Sequence, residues 1–227
     1  MRIQFTLLAG VAAAALSLPA QAGHFNGWYV GLEGGANWID SEDAAYLLTF
    51  NGNAAQSDTA EAAFDTGWAV LATGGYAFDS DWRVEAEFGY RRNDVSARWL
   101  VSDTARTLNG DVSEYSLMAN VLYDIQLGER MSLSLGAGAG GDHAKLEGRF
   151  TIPSVTSPDP ISDSEWNFAA QGIAGLSYAI SPRLELALNY RYLHVFDPAF
   201  SDPGSVSVFS ADEFVSFDKF SKHSVTV

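Results

Sequence analysis

The side chains that could do chemistry here are four histidines, a glycine tract, a scatter of loop aspartates and charges spaced two residues apart. A lipid hydrolase needs a hydroxyl nucleophile within hydrogen-bond reach of a base. His223 is followed directly by Ser224, but adjacent residues of an extended strand point to opposite faces. Neither His143 nor His194 has a serine two residues away, and His24 stands near the start of the chain. The pattern therefore predicts no nucleophile–base pair, and the chain reads as non-enzymatic. Gly136-Ala137-Gly138-Ala139-Gly140-Gly141 lacks the Lys-Ser/Thr step and the following amphipathic helix of a phosphate loop. Asp103, Asp111, Asp159, Asp163, Asp197, Asp202, Asp212 and Asp218 do not adopt the Asp-x-Asp-x-Asp-Gly spacing that cradles calcium. There is no cysteine, which removes disulfides and thiolate metal sites. No metal and no cofactor is expected.

The charges tell more. Glu33, Arg83, Glu85, Glu87, Arg91, Asp124, Glu185, Arg191 and Lys222 carry both signs and share the polar faces of their runs. Buried charges are tolerated only when paired, and this mixture permits pairing. The nine are expected to form one charge network inside the molecule. The formal net charge of −15 argues against nucleic acid, whose phosphates need clustered Lys and Arg.

The elements that must carry these residues are strands. In Trp82 to Arg91, Trp82, Val84, Ala86, Phe88 and Tyr90 fall on one face and Arg83, Glu85, Glu87, Gly89 and Arg91 on the other. That is a period of two. The same alternation runs through Trp28–Trp38, Tyr115–Ile125 and Leu184–Tyr192. It is fainter in the Gly- and Ala-rich runs Gly67–Phe78, Met131–Gly141 and Trp166–Ile180, and an eighth run, Phe220–Val227, follows. The connections alternate too. Asp79-Ser80-Asp81, residues 126–130 and Ser181-Pro182-Arg183 are tight turns, whereas 40–66, 94–113, 142–165 and 195–219 are long and polar. Short turns at one end and long loops at the other are the pattern of a transmembrane barrel.

The apolar face is assigned to lipid on two grounds. Aromatic residues stand at both ends of it: Trp28, Trp38, Trp68, Phe78, Trp82, Tyr90, Tyr115, Tyr123, Trp166, Tyr178, Tyr190 and Tyr192. Such rings favour the two membrane interfaces. The other face is small where it is not charged, with Gly31, Gly35, Gly67, Gly75, Gly89, Ser132, Ser134, Gly136, Gly138 and Gly175, as a narrow interior requires. A hydrophobic content of 47% with a mean hydropathy of −0.01 fits alternating strands rather than apolar helices. The fold class expected is all-β: an eight-stranded antiparallel up-and-down transmembrane barrel with short periplasmic turns and long extracellular loops.

Arg2, the apolar stretch from Phe5 to Leu18 and Ala20-Gln21-Ala22 fit a secretory signal peptide over residues 1–22, cleaved after Ala22. The barrel domain is then 23–227, exported to the bacterial outer membrane.

Gly27-Trp28-Tyr29-Val30-Gly31-Leu32-Glu33-Gly34-Gly35, Gly74-Gly75-Tyr76-Ala77-Phe78 and the tail His223-Ser224-Val225-Thr226-Val227 resemble the OmpA/opacity-type family of small outer-membrane barrels, notably its porin-family surface antigens. That resemblance implies a surface antigen, adhesin or envelope-stabilising protein, with a small channel for ions or solutes as the alternative; a lipid-modifying enzyme is a third reading, which the scaffold alone permits. It implies contact with outer-membrane lipid and lipopolysaccharide, passage through the barrel-assembly machinery, and a host or surface ligand engaged by the loops. It also implies a last strand about six residues longer than Phe220–Val227, ending in an aromatic residue.

Overall fold

The computed structural model describes residues 26–40, 43–50, 53–101, 104–151, 159–196, 199–200, 211–217 and 220–227. The expected signal peptide lies outside them. Among the described residues every regular element is a strand: β1 (Gly27–Ile39), β2 (Asp43–Phe50), β3 (Asn53–Phe64), β4 (Gly67–Ala77), β5 (Trp82–Val101), β6 (Thr104–Gln126), β7 (Met131–Thr151), β8 (Asp159–Ser181), β9 (Leu184–Val195), β10 (Ala199–Phe200), β11 (Ala211–Phe217) and β12 (Phe220–Thr226). Eight of these pair antiparallel with their neighbours in a closed ring: β1, β4, β5, β6, β7, β8, β9, β12 and back to β1. They are the eight amphipathic runs of the sequence. Closure removes every sheet edge within the ring, which the absence of water in a bilayer core demands.

The register fixes the dimensions. Stepping round the ring through directly opposed partners, Trp38 leads to His223, Tyr192, Gly172, Ala137, Val121, Val84 and Tyr76, and arrives at Trp28. One circuit therefore returns to β1 ten residues lower. With a rise of about 3.3 Å per residue and a strand spacing of about 4.8 Å, a stagger of ten over eight strands tilts the strands by about 41°. The ten residues from Trp28 to Trp38 then cover about 25 Å along the barrel axis, the height of an outer-membrane apolar band. The two tryptophans at the ends of this circuit mark its two rims.

The turns follow their residues. Phe78 donates to the Trp82 carbonyl across a three-residue loop whose last member, Asp81, adopts a left-handed φ of 62°. Aspartate tolerates that conformation, and a left-handed third residue suits such hairpins. Pro182-Arg183 turns β8 into β9, with the Arg183 amide donating to the Ser181 hydroxyl. At the other end the structure departs from the long polar loops expected. β5 and β6 stay paired out to Val101 and Thr104, and β7 and β8 out to Phe150 and Asp159. β3 adds to the distal part of β5, β2 to β3, β11 to β2 and β10 to β11. The described parts of the four long connections thus form a wall of sheet rising beyond the ring. The hydrogen bonds of the barrel strands give the polar segments a template to continue, which their composition alone does not reveal.

Candidate functional site: a layered lumen within an aromatic-belted wall

The inward face is polar and stacked in layers. At the turn end, Arg83 Nε meets Asp124 at 2.8 Å, Arg83 Nη1 lies 3.5 Å from Glu85, and Arg83 Nη2 donates to Ser134 at 3.0 Å. The Tyr29 hydroxyl donates to Glu85 at 2.5 Å, and the Arg83 guanidinium lies 5.5 Å from the Tyr29 ring centre. Tyr29 occupies the space that Gly75 leaves open, for a Cβ at Gly75 would stand 2.6 Å from its ring. Below this layer is a vestibule of about 190 Å³ that Glu129, Arg130 and Glu185 help to line. Glu185 is exposed at its rim rather than part of a paired layer.

The middle layer is built on Arg191. Its Nη1 and Nη2 grip the two Glu33 oxygens at 2.7 and 2.8 Å, and its Nε donates to Glu87 at 3.0 Å. Planar two-pronged pairing of this kind is the strongest a side chain offers a carboxylate. Asn189 and Thr226 donate to Glu33 at 3.0 and 2.6 Å, while Gln171 and Asn120 donate to Glu87 at 3.2 and 3.3 Å. Residues from β1, β5, β6, β8, β9 and β12 thus meet in one plane across the lumen. Arg191 and Glu87 side chains are only 3% and 0% exposed.

A third layer holds Lys222, whose ammonium bridges Glu114 and, at 2.9 Å, Asp142. Arg91 donates to Ser116 at 2.8 Å beside it. Above, the Asn37 amide donates to the Asn93 side-chain oxygen at 2.6 Å, Ser224 donates to Asn37 at 2.8 Å, and Asn93 donates to the Asp65 carbonyl at 3.0 Å. An apolar cluster of Ile39, Met118, Ala169, Leu193 and Val195, with Phe64 against it, fills much of the remaining interior.

Of the nine charges singled out in the sequence, eight enter these layers: Glu33, Arg83, Glu85, Glu87, Arg91, Asp124, Arg191 and Lys222. Both partners of Lys222 escaped sequence reasoning. Glu114 fell between a strand and a loop, and Asp142 was read as the first residue of a loop. Their signal was present, since Glu114 and Asp142 each continue the inward parity of their runs. Of the uncharged members, Asn120 and Asn189 lie on the polar face of their runs, whereas Tyr29 and Gln171 were missed because amides and phenols occur on either face.

The outward face carries two belts. Trp28, Tyr76 and Phe78 chain together at the turn end, with ring centres 5.3 and 5.0 Å apart, and Trp82 meets Tyr123 at 5.1 Å. At the other rim Trp68, Tyr90 and Tyr115 form a row with 5.2 and 4.9 Å spacings. His143 joins Trp166 at 4.9 Å, Phe168 joins Phe196 at 5.6 Å, and His223 stacks on Trp38 at 5.7 Å. Trp166, Tyr178, Tyr190 and Tyr192 are likewise exposed on this outer face. Three histidines, His143, His194 and His223, belong to the upper belt.

A family model described as the outer membrane protein beta-barrel domain matches residues 6–225. The chain belongs to that family. An outer membrane protein of Gluconacetobacter diazotrophicus is 30% identical over 210 residues, covering 89% of this chain and 54% of that protein. The chain thus spans about half the length of that relative. An uncharacterized protein of Brucella abortus is 34% identical over 91 residues, which is 38% of this chain and 32% of that one. Among solved structures, the outer membrane protein OprG from Pseudomonas aeruginosa superposes with a TM-score of 0.53 at 16% identity. The superposition covers 90% of this chain and 96% of OprG, a likeness of fold. Ring, belts and family together make this an outer-membrane barrel protein.

Proposed function

We propose that this barrel is a sealed surface protein, an antigen or adhesin that also stiffens the envelope, and that its work is done by the sheet wall beyond the upper belt. The observation that supports this best is the Arg191 layer, which joins six strands across the lumen with buried, hydrogen-bonded side chains. Eight strands leave an interior that side chains can fill, and the Arg191 and Lys222 layers support that reading. The wall of β2, β3, β10, β11 and the distal ends of β5–β8 is the part free to meet a ligand of the host or of the cell surface.

The test is to replace residues 147–162 by Asn-Gly. This joins the opposed pair Leu146 and Asp163 through a two-residue turn and spares Asp142. The expected result is unchanged heat-shifted gel migration together with loss of recognition by antiserum raised against intact cells. Full recognition by the trimmed protein would place the function elsewhere. A small channel is the second reading, and the vestibule at the turn end favours it. It requires a route through the Arg191 and Lys222 layers.

A further inference from the structure

The outward face holds a hydroxyl–imidazole pair that the lumen does not use. Ser221 on β12 and His194 on β9 are directly opposed across the strand pair, and His194 Nδ1 lies 3.1 Å from Ser221 Oγ. The Tyr192 hydroxyl lies 2.9 Å from the same oxygen. Phe196 packs edge-on against the His194 ring at 4.7 Å and 88°, which holds the imidazole in place. On the other side of Ser221, the Asp40 amide donates to the Ser221 carbonyl at 3.0 Å, and the Asp40 carboxylate takes His223 Nε2 at 2.9 Å. Ser221 stands two pairs beyond the Trp38–His223 pair of the upper belt. That level is the edge of the apolar band, where the ester linkages of a lipid lie.

We propose that Ser221 is a nucleophile toward carboxylic esters of outer-leaflet lipid, with His194 as its general base and Tyr192 as donor to the oxyanion. Nucleophile and base within hydrogen-bond reach are the geometric requirement for such chemistry, and tyrosine hydroxyls serve as oxyanion donors. Ser221 Oγ attacks the ester carbonyl carbon and its proton passes to His194 Nδ1. The Tyr192 hydroxyl turns from Ser221 Oγ to the carbonyl oxygen as charge develops there. The carbon–oxygen bond to the lipid alcohol then breaks, and the alcohol leaves with the proton from His194. Water, deprotonated by His194, cleaves the acyl-serine, releases the fatty acid and restores Ser221. Ser221 is itself only 7% exposed, and the rings of Tyr192 and Phe196, 39% and 42% exposed, are the parts of the cluster open to the lipid side, so a lipid ester reaches the hydroxyl by displacing them. The sequence test overlooked the pair because it sought serine and histidine on one strand, whereas register across β9 and β12 brings these two together.

The experiment uses the full refolded chain in detergent micelles, with heat-shifted migration as the check of fold. It is treated with a biotinylated fluorophosphonate, and adducts are located by mass spectrometry. Hydrolysis of a p-nitrophenyl hexanoate ester is followed in parallel. Expected is an adduct on Ser221, absent in Ser221→Ala and unaffected in Ser224→Ala, whose hydroxyl points into the lumen. His194→Gln should lower ester hydrolysis by about 100-fold or more, and Tyr192→Phe by about 100-fold. A folded protein with no adduct on Ser221, or one whose labelling and hydrolysis are unchanged in His194→Gln, would overturn the proposal.

Discussion

Replacing Lys222 by Met examines the lumen most sharply, because Lys222 joins two carboxylates that are otherwise sealed from water. Lys222, Glu114 and Asp142 side chains are 0%, 0% and 1% exposed, and the ammonium contacts both acids. Methionine keeps the length of the side chain and removes the charge, leaving two like charges buried side by side with Arg91 as the nearest cation. Breaking a buried pair by deleting one partner costs about 3–5 kcal/mol. With an unfolding slope of about 1–3 kcal/mol per molar urea, the midpoint should fall by roughly 1–5 M. The assay is urea titration of the protein in micelles, read by tryptophan fluorescence and by the folded fraction on unheated gels. Adding Glu114→Gln and Asp142→Asn to the same chain removes the stranded charges and should restore most of the loss. A Lys222→Met protein within about 1 kcal/mol of the parent would refute the reasoning, as would a triple variant no better than the single one.

Three further outcomes follow from the same geometry. Leu188, half exposed between the belts, should cost about 2–4 kcal/mol as arginine, whereas Asn189→Ala, which removes one hydrogen bond to Glu33, should cost about 1 kcal/mol. Urea midpoints in micelles compare the two, and the reverse order would exchange the assigned faces. Gly75→Val should destabilise by about 1–3 kcal/mol through overcrowding of Tyr29, and pairing it with Tyr29→Ala should relieve part of that loss in the same titration. Arg191→Leu should destabilise more than Arg92→Leu, since Arg92 pairs with Asp111 at a half-exposed site where ion pairs contribute about 0–1 kcal/mol.

The barrel itself was legible because lipid on one side and a polar interior on the other impose a period of two on every strand. Trp82–Arg91 shows it residue by residue, and even the Gly- and Ala-rich run Met131–Gly141 keeps its parity. What the local pattern does not contain is register. Nothing near Lys222 in the chain names Glu114 or Asp142, which come from the neighbouring strands β6 and β7 on the far side of the ring from β12. The same holds for Ser221 and His194, brought together only when β9 and β12 align. The wall beyond the belt was unreadable for a different reason. Its segments alternate weakly, and their extended shape comes from neighbours already paired. Asp142 illustrates the cost: polar composition marks it as loop, yet its partner Ser116 and its inward parity keep it in β7.

Single-channel recording from the refolded chain in a planar bilayer bears most directly on the sealed lumen, with heat-shifted migration confirming the fold beforehand. The Arg191 and Lys222 layers predict a folded barrel that passes no resolvable current. Reproducible conductance steps that change when Arg191 is replaced by glutamine would mean a continuous water path through those layers, and would contradict the account.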